Sequence, residues 1–278
     1  MVTAARLAGA GLMRRFHARH ELEVELKGPA DFVSEADRES ERTLARGLLG
    51  AYPRYGFVAE ESAPTAPGAS SRFVVDPLDG TTNFLHGLPH FAVAVALERE
   101  GELVAGLVLD PCLDELFVAE RGRGAWLGRQ RLHVSEDRDL SRALVGTGIP
   151  HANAPSRHRA ALAMLRAVMP EVAGIRRLSA AALDLAYVAA GRFEAFYERG
   201  LARWDMAAGA LLVREAGGRV TDLRGGPSFL AAGEVLATNG RLHARMLKLL
   251  GAPGRSGSAS PRSRRPRPGG AAPPSRRR

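Results

Sequence analysis

Residues 76–83 read Asp-Pro-Leu-Asp-Gly-Thr-Thr-Asn and follow the short apolar run Phe73-Val74-Val75. The apolar run predicts a buried strand, whereas Pro77 and the Asp79-Gly80 pair predict a tight turn outside regular structure. Two carboxylates and nearby backbone carbonyl groups could then converge at a strand end, which suits a hard cation such as Mg²⁺. The same dipeptides also occur in ordinary turns, so the stretch by itself leaves both interpretations open.

The size and composition of the chain limit the class of protein. It has 278 residues, 45% of them hydrophobic, which is enough for a sizeable core in one large domain or two closely packed ones. Cys112 is the only cysteine, which excludes an intramolecular disulfide and is compatible with a reducing compartment. No apolar run is long enough to span a membrane, and the N-terminal arginines are in the wrong order for a signal peptide. We therefore expect a cytoplasmic protein.

The basic charge of the chain is unevenly distributed. Eight arginines and no acid lie in residues 251–278, and subtracting them from the formal net charge of +9 leaves +1 for residues 1–250. The terminal segment is rich in Pro, Gly, Ser and Arg, a composition that predicts a disordered tail. Such a tail could contact RNA or another polyanion, although a solvated extension is the more common role.

Helix and strand signals alternate along the second half of the chain. This alternation predicts a layered α/β architecture. The predicted strands are 174–178, 193–198, 219–223 and 235–238, and the predicted helices are 179–190, 205–216 and 241–250. In the first half we expect helices at 2–20 and 34–49, a strand at 21–26 and a run of strands from 91 to 119.

Three more acids fall at the ends of predicted elements. Asp37 lies in the first turn of a helix that Ser34 begins, Glu60 ends the strand predicted at 55–62, and Asp205 begins the helix after Trp204. A structural explanation exists for the two helical acids, since helix N-termini favour acids and Asp is a common N-cap. The sequence has no Cys and His cluster typical of zinc sites, no Walker loop and no Gly-x-Ser-x-Gly elbow. The remaining candidate ligands are oxygen atoms, which favour Mg²⁺ and phosphate chemistry.

Three motifs together resemble the signatures of the inositol monophosphatase family. They are Ala59-Glu60-Glu61-Ser62, the stretch from Asp76 to Phe84, and Trp204-Asp205-Met206-Ala207-Ala208-Gly209. They occur in the family's order and approximate spacing, and the resemblance covers residues 1–250 as one catalytic domain. It implies an alternating αβαβα sandwich and a Mg²⁺-dependent, lithium-sensitive phosphatase, usually a homodimer. The tail, 251–278, lies outside it.

The resemblance implies a metal centre with two to three Mg²⁺ ions. Glu60, Asp76 and the carbonyl of Leu78 would hold the first ion, and Asp76, Asp79 and Asp205 the second, while Glu60 would also assist a weaker third. Thr81 and Asp37 would orient and deprotonate the attacking water. Phosphate monoesters hydrolyse extremely slowly in water without a catalyst. Two metal ions can accelerate this reaction by clamping the attacking and leaving oxygens of an in-line displacement.

The resemblance also implies a substrate site, with Lys27 on a loop near the metals. Its expected residues are Asp79, Gly80, Thr81, Arg176, Ser179, Ala180, Ala181, Glu198 and Asp205. Glu198 would contact inositol hydroxyl groups, and Arg176 matches an arginine of bacterial members. Ser179 stands where the family has glycine, and Ala180 where it has a hydroxyl group.

The expected activity is hydrolysis of inositol 1-phosphate. Histidinol phosphate, fructose bisphosphate and 3′-phosphoadenosine phosphate are alternative substrates for the same chemistry. A different class of function, a role in ribosomal-RNA transcription antitermination, is also implied by the resemblance to bacterial members. It would involve contact with RNA or with the RNA polymerase machinery.

Overall fold

The structure, a computed structural model, describes residues 1–19, 24–28, 31–150 and 155–251. Its helices and strands follow the predicted alternation. In chain order they are α1 (Val2–His17), β1 (Val24–Gly28), β2 (Asp31–Ser34), α2 (Glu35–Ala51), β3 (Gly56–Ala59), β4 (Ser71–Asp79), α3 (Thr81–Leu85), β5 (Ala92–Arg99), β6 (Glu102–Asp110), β7 (Glu115–Glu120), β8 (Gly124–Leu127), β9 (Gln130–Arg131), β10 (Leu144–Thr147), α4 (Pro155–Val168), β11 (Gly174–Arg176), α5 (Ala181–Ala189), β12 (Ala195–Arg199), α6 (Arg203–Glu215), β13 (Arg219–Thr221), α7 (Phe229–Ala232), β14 (Glu234–Thr238) and α8 (His243–Gly251).

The described strands form two large sheets and one hairpin. The first sheet has seven strands in sequence order, β3 to β9, and only the β3–β4 pair is parallel. The second has five strands in the order β11-β10-β12-β14-β13, with β10 parallel to both of its neighbours. The hairpin consists of β1 and β2, so Lys27 and Gly28, which we expected in a loop, belong to a strand.

Apolar side chains pack the sheets and helices into five layers. Helices α1 and α2 cover the outer face of the first sheet through a core that includes Leu12, Leu44 and Phe73. Helices α5 and α6 lie between the two sheets, and the outer face of the second sheet packs against α4 and α8. The predicted αβαβα layering is confirmed. Within the described part of the chain, no helix has the length and apolarity that crossing a bilayer requires.

The strand before the acidic stretch is longer than expected. We predicted a turn from Asp76 onward, but β4 continues to Asp79, and the short helix α3 begins at Thr81. The pairing with β5 is irregular here, because Asp76 lies opposite Ala94 and Asp79 opposite Ala92. Three steps on β4 match two on β5, a bulge that accommodates Pro77, which has no N–H to donate. The bulge leaves both carboxylates buried at the end of the strand.

A buried histidine joins the last helix to the second sheet. His243 is 1% exposed, with its Nδ1 2.9 Å from Thr238 Oγ1 and its Nε2 3.0 Å from Thr221 Oγ1. Burial, and secondarily the positive charge of Arg219, lowers the pKa of His243 to about 4. The folded protein therefore holds a neutral imidazole at pH values at which a free histidine is charged.

We expect the free energy of unfolding to fall as pH decreases from about 6.5 to about 4. In that window the unfolded chain protonates His243 and the folded chain does not, whereas above it neither state does. Urea unfolding at about pH 7.5 and about pH 4.5 should show the wild type losing roughly 1–3 kcal/mol more than His243→Gln. Parallel pH dependences for the two proteins would contradict this assignment.

Candidate active site

The end of β4 places two carboxylates among backbone donors. Asp76 Oδ1 accepts a hydrogen bond from the backbone N–H of Leu78 at 3.0 Å. Asp79 Oδ2 accepts one at 2.7 Å from the backbone N–H of Ala182, in the first turn of α5. Asp79 thereby links the end of the first sheet to the helix layer between the two sheets.

Asp205 reaches the same place from a distant part of the chain. It lies in the first turn of α6, and its Oδ2 accepts a hydrogen bond from Ala202 N at 2.7 Å. The Asp205 carboxyl group is close enough to raise the pKa of Asp76. The prediction that Asp205 is the N-cap is wrong, because α6 begins two residues earlier, at Arg203, and Ala202 is the N-cap. Asp205 is the third helical residue and accepts from the N–H of that cap. Glu60, just beyond the end of β3, is close enough to raise the pKa of Asp76.

Burial, and after it repulsion among these acids, sets the electrostatics of the group. Burial, followed by the charges of Glu60, Asp79 and Asp205, raises the pKa of Asp76 well above its usual range. Burial and the charge of Asp205 do the same to Asp79. Burial also raises the pKa of Asp205 to about 6, although its hydrogen bond from the Ala202 N–H opposes the change. A group of buried, acceptor-only oxygens that repel one another is suited to a hard divalent cation.

The acids do not form a closed cage. In residues 1–251, wherever the structure describes them, no three His, Cys, Asp or Glu side chains are arranged to hold a metal ion as they stand. The fit to a cation therefore rests on the donor chemistry and the charge of four groups, Glu60, Asp76, Asp79 and Asp205.

Thr81 and Asp37 form a pair beside the acidic group. Thr81 Oγ1 lies 3.1 Å from Asp37 Oδ1 and 3.0 Å from the carbonyl oxygen of Leu78. The other carboxylate oxygen of Asp37 accepts hydrogen bonds from both the backbone N–H and the hydroxyl group of Ser34, which caps α2. Burial raises the pKa of Asp37 despite these hydrogen bonds. The capping box predicted from Ser34 and Asp37 thus also orients Asp37 toward Thr81.

Ser179 and Ala180 lead into α5 next to this pair. Ser179 has φ = +65°, the left-handed region that favours glycine. Ala180 is the N-cap of α5 and contributes no side-chain hydrogen bond, so Asp79 satisfies the N–H of Ala182 instead. Gly80 faces the same segment at φ = +89°, where a Cβ atom would lie 3.0 Å from His90 O and 3.3 Å from Ser179 O.

Glu198 lies near the end of β12, close enough to Asp205 and Asp79 to interact with their charges. Burial, with a contribution from Asp205, raises the pKa of Glu198 to about 8, while Arg177 opposes the change. A Cβ atom on Gly148 would lie 1.8 Å from the Glu198 carboxyl group, so glycine is required for the carboxylate to occupy this position. Arg176 is exposed and donates to the neighbouring Ile175 carbonyl at 3.0 Å. The arginine that interacts with Glu198 is the next one, Arg177.

Three residues near the candidate site were not assigned a role from the sequence. Besides Arg177, they are Asn83, which donates to the carbonyl groups of Leu178 and His90, and Asp184. Asp184 is 1% exposed, and its Oδ1 has no hydrogen-bond partner among the described residues. A single acid within the apolar run of α5 was the available signal for Asp184. The side chain of Lys27 lies outside the described part of the structure.

Comparison with known proteins decides the family. The model of the inositol monophosphatase family matches residues 1–252. The chain belongs to the inositol monophosphatase family. It is 55% identical to the inositol-1-monophosphatase of Rhizobium meliloti over 86% of this chain and 90% of that one. It is 48% identical to the Nus factor SuhB of Pseudomonas aeruginosa over 85% of this chain and 89% of that protein. The crystal structure of the extragenic suppressor protein suhB from Bartonella henselae superimposes with a TM-score of 0.87 at 49% identity, covering 90% of this chain and 96% of that one.

Membership in this family makes the chain a phosphatase, a hydrolase of phosphoric monoesters. Inositol monophosphatases are generally metal-dependent, which agrees with the repelling carboxylates at the end of β4. A small phosphate ester fits this family as a substrate.

We expect Ser179→Gly to stabilise the protein. A side chain at φ = +65° is strained, and removing it should raise the free energy of unfolding by about 0.5–1 kcal/mol, after the greater chain entropy of glycine is deducted. Ala180→Gly is the matched control: its φ is −144°, so the same change there should destabilise. Urea unfolding of both variants measures the two effects, and a loss of stability in Ser179→Gly would show that its side chain makes a compensating contact.

Proposed function

We propose that this chain hydrolyses inositol 1-phosphate to myo-inositol and phosphate, using Mg²⁺. The observation that carries the proposal is the position of the repelling acids Asp76, Asp79 and Asp205 beside the hydrogen-bonded pair Thr81 and Asp37. The acids that could hold a cation therefore lie beside the hydroxyl group that could orient a water molecule. The name of the Rhizobium meliloti relative supports the choice of substrate.

We assign the metal ligands to the residues around the bulge. Glu60, Asp76 and the carbonyl of Leu78 would hold one ion, Asp76, Asp79 and Asp205 a second, and Glu60 would contribute to a weaker third. When bound, such ions lower the pKa of a water molecule and stabilise negative charge on the leaving oxygen. We also expect Li⁺ to inhibit an enzyme with this site.

The Thr81–Asp37 pair would activate the attacking water. When Asp37 is ionised, it accepts the hydrogen of Thr81 Oγ1, and the lone pairs of that oxygen are then available to accept a hydrogen from water. A buried carboxylate with a raised pKa is a stronger base than an exposed one. Two hydrogen bonds from Ser34 keep the far oxygen of Asp37 occupied, so the near oxygen faces Thr81.

The opposite wall of the cleft would bind the substrate. We assign the phosphate to the backbone N–H groups of Gly80 and Thr81, and the hydroxyl groups of the polyol to Glu198 and the start of α5. The extended Ala180 cap offers no hydroxyl group to this wall. We therefore expect weaker discrimination among phosphomonoesters than a Gly-Ser or Gly-Thr segment would provide.

We further propose that the protein acts as a homodimer in the cytoplasm. Support comes from the inositol-monophosphatase resemblance and, for the compartment, from the single Cys112. Sedimentation of the full chain measures the subunit number.

Phosphate release from a panel of phosphomonoesters tests the proposed activity. With Mg²⁺, inositol 1-phosphate should be cleaved faster than histidinol phosphate, fructose bisphosphate or 3′-phosphoadenosine phosphate, and Li⁺ should inhibit. Asp79→Asn should lower the rate by at least about 100-fold, since loss of outer partners alone typically costs 10–100-fold. Asp114→Asn, at an exposed position, is the control and should leave the rate unchanged. Absence of release from every ester would refute the enzyme function.

Replacement of Thr81 by valine tests the water-activating pair. The change preserves the side-chain shape but removes the hydroxyl group that bonds to Asp37, so kcat should fall by about 10²–10⁴-fold while KM changes little. Thr82→Val is the matched control on the next residue and should keep kcat. Equal rates for the two variants would exclude Thr81 from the chemistry.

A second candidate function is a role in transcription antitermination. Relatives at 40–48% identity are named Nus factor SuhB, and eight arginines follow the family-matched region. Binding of the full chain and of a chain lacking residues 252–278 to a structured RNA would test this. We expect phosphatase activity in both, and RNA affinity that falls without the tail and with rising salt. Equal RNA affinity with and without the tail would show that the tail does not bind the RNA.

A further inference from the structure

One face of α2 carries three buried polar residues. They are Asp37, Ser40 and Glu41, spaced at i, i+3 and i+4, which places them side by side on the helix. Their exposed fractions are only 1%, 3% and 6%. The first belongs to the pair described above, whereas the other two have no part in the proposed chemistry. Buried polar groups are costly unless they are hydrogen-bonded, so their partners explain their presence.

Ser40 and Glu41 bind the chain segments that carry the acids. Ser40 Oγ donates a hydrogen bond to the carbonyl oxygen of Pro77 at 2.7 Å. Glu41 Oε2 accepts one from the backbone N–H of Glu61 at 2.8 Å. Both contacts are long-range, joining residues 37 and 20 positions apart in sequence.

These contacts lie directly beside candidate metal ligands. Pro77 stands between Asp76 and Leu78 in the bulge of β4, and its carbonyl group belongs to the peptide unit that joins it to Leu78. A hydrogen bond to this carbonyl therefore restrains that peptide unit in the bulge. Glu61 follows Glu60 beyond the end of β3, where no strand pairing restrains the backbone. The hydrogen bond from Glu61 to Glu41 therefore restrains the segment that presents Glu60.

We propose that Ser40 and Glu41 are positioning residues, which hold the Asp76–Leu78 segment and Glu60 against the turn of α2 that bears Asp37. One helix face thereby aligns three parts of the site, which come from β3, β4 and α2. The mutual repulsion of the acids would otherwise drive these segments apart. This inference rests on the proposed function, since the acids are taken to hold metal ions. Outer partners of this kind typically affect metal affinity by about 10–100-fold.

Binding of Mn²⁺ to the full chain, followed by the electron paramagnetic resonance signal of free Mn²⁺ and without substrate, tests the proposal. Mn²⁺ prefers the same oxygen ligands as Mg²⁺. Glu41→Leu should weaken Mn²⁺ binding by about 10–100-fold. Glu41→Gln keeps an acceptor for the Glu61 N–H and should recover most of the affinity. Ser40→Ala removes a single hydrogen bond and should show a smaller loss.

Glu39→Ala is the matched control on the same helix. It removes an acid that is paired with Arg15 on α1 at 2.9 Å and does not contact the site. Its melting temperature should fall somewhat, and its Mn²⁺ affinity should equal that of the wild type. A purely structural role for Glu41 would lower the melting temperature in the same way and leave Mn²⁺ affinity unchanged.

The outcomes separate this inference from the proposed function. Unchanged Mn²⁺ affinity in Glu41→Leu and Ser40→Ala would overturn the positioning role, even in an active phosphatase. If Glu41→Leu does not fold, Ser40→Ala decides the question, because it removes the hydrogen bond to the Pro77 carbonyl and keeps the size of the buried side chain nearly constant. Graded loss of Mn²⁺ affinity supports the positioning role, even if the wild type releases no phosphate from any ester and the proposed function fails.

Discussion

Mutual repulsion among buried carboxylates is the constraint on which this structure depends. Burial raises the pKa of Asp76 and Asp79, and the charges of the neighbouring acids raise it further. Three of them are stabilised in part by donors from the backbone. The donor and acceptor pairs are Leu78 N with Asp76, Ala182 N with Asp79, and Ala202 N with Asp205. The bonds to Asp76 and Asp205 are local to β4 and to the start of α6, whereas the bond to Asp79 attaches β4 to α5.

The layered architecture explains how such a site can be built. Strand β4 lies inside the first sheet, α5 and α6 fill the space between the sheets, and β12 belongs to the second sheet. Their ends meet at one cleft, so residues more than 100 positions apart become neighbours there. The bulge at Pro77 contributes locally, because Asp76 and Asp79 on either side of it are both buried at the end of one strand.

Asp79 connects the end of β4 to the start of α5. In this chain the N-cap of α5 is Ala180, which has no hydroxyl group, and the carboxylate of Asp79 satisfies a free N–H of the helix in its place. The preceding residue, Ser179, adopts a left-handed conformation that serine rarely favours. The segment therefore has the backbone conformation that glycine favours at residue 179, and it lacks a hydroxyl group at residue 180. These departures therefore involve Asp79 directly, whereas Asp76 and Asp205 have their own backbone donors.

Local signals in the sequence determined the elements and their order. The 3.6-residue periodicity predicted the helices, and the alternation of strand and helix predicted the layers. The three acidic motifs pointed to one site, as the inositol monophosphatase resemblance implied. Ser34 with Asp37 was legible as a helix start because a capping box is local.

Only the tertiary structure decided how these elements meet. The continuation of β4 through Pro77 depends on the register with Ala92 and Ala94, which no local pattern encodes. Whether Arg176 or Arg177 interacts with Glu198 depends on the exact end of β11. The sequence did not single out Ser40 and Glu41, whose contacts with the Pro77 carbonyl and the Glu61 N–H depend on how α2 packs. Periodicity and capping act within a few residues, whereas register and burial are set by the packing of the whole chain.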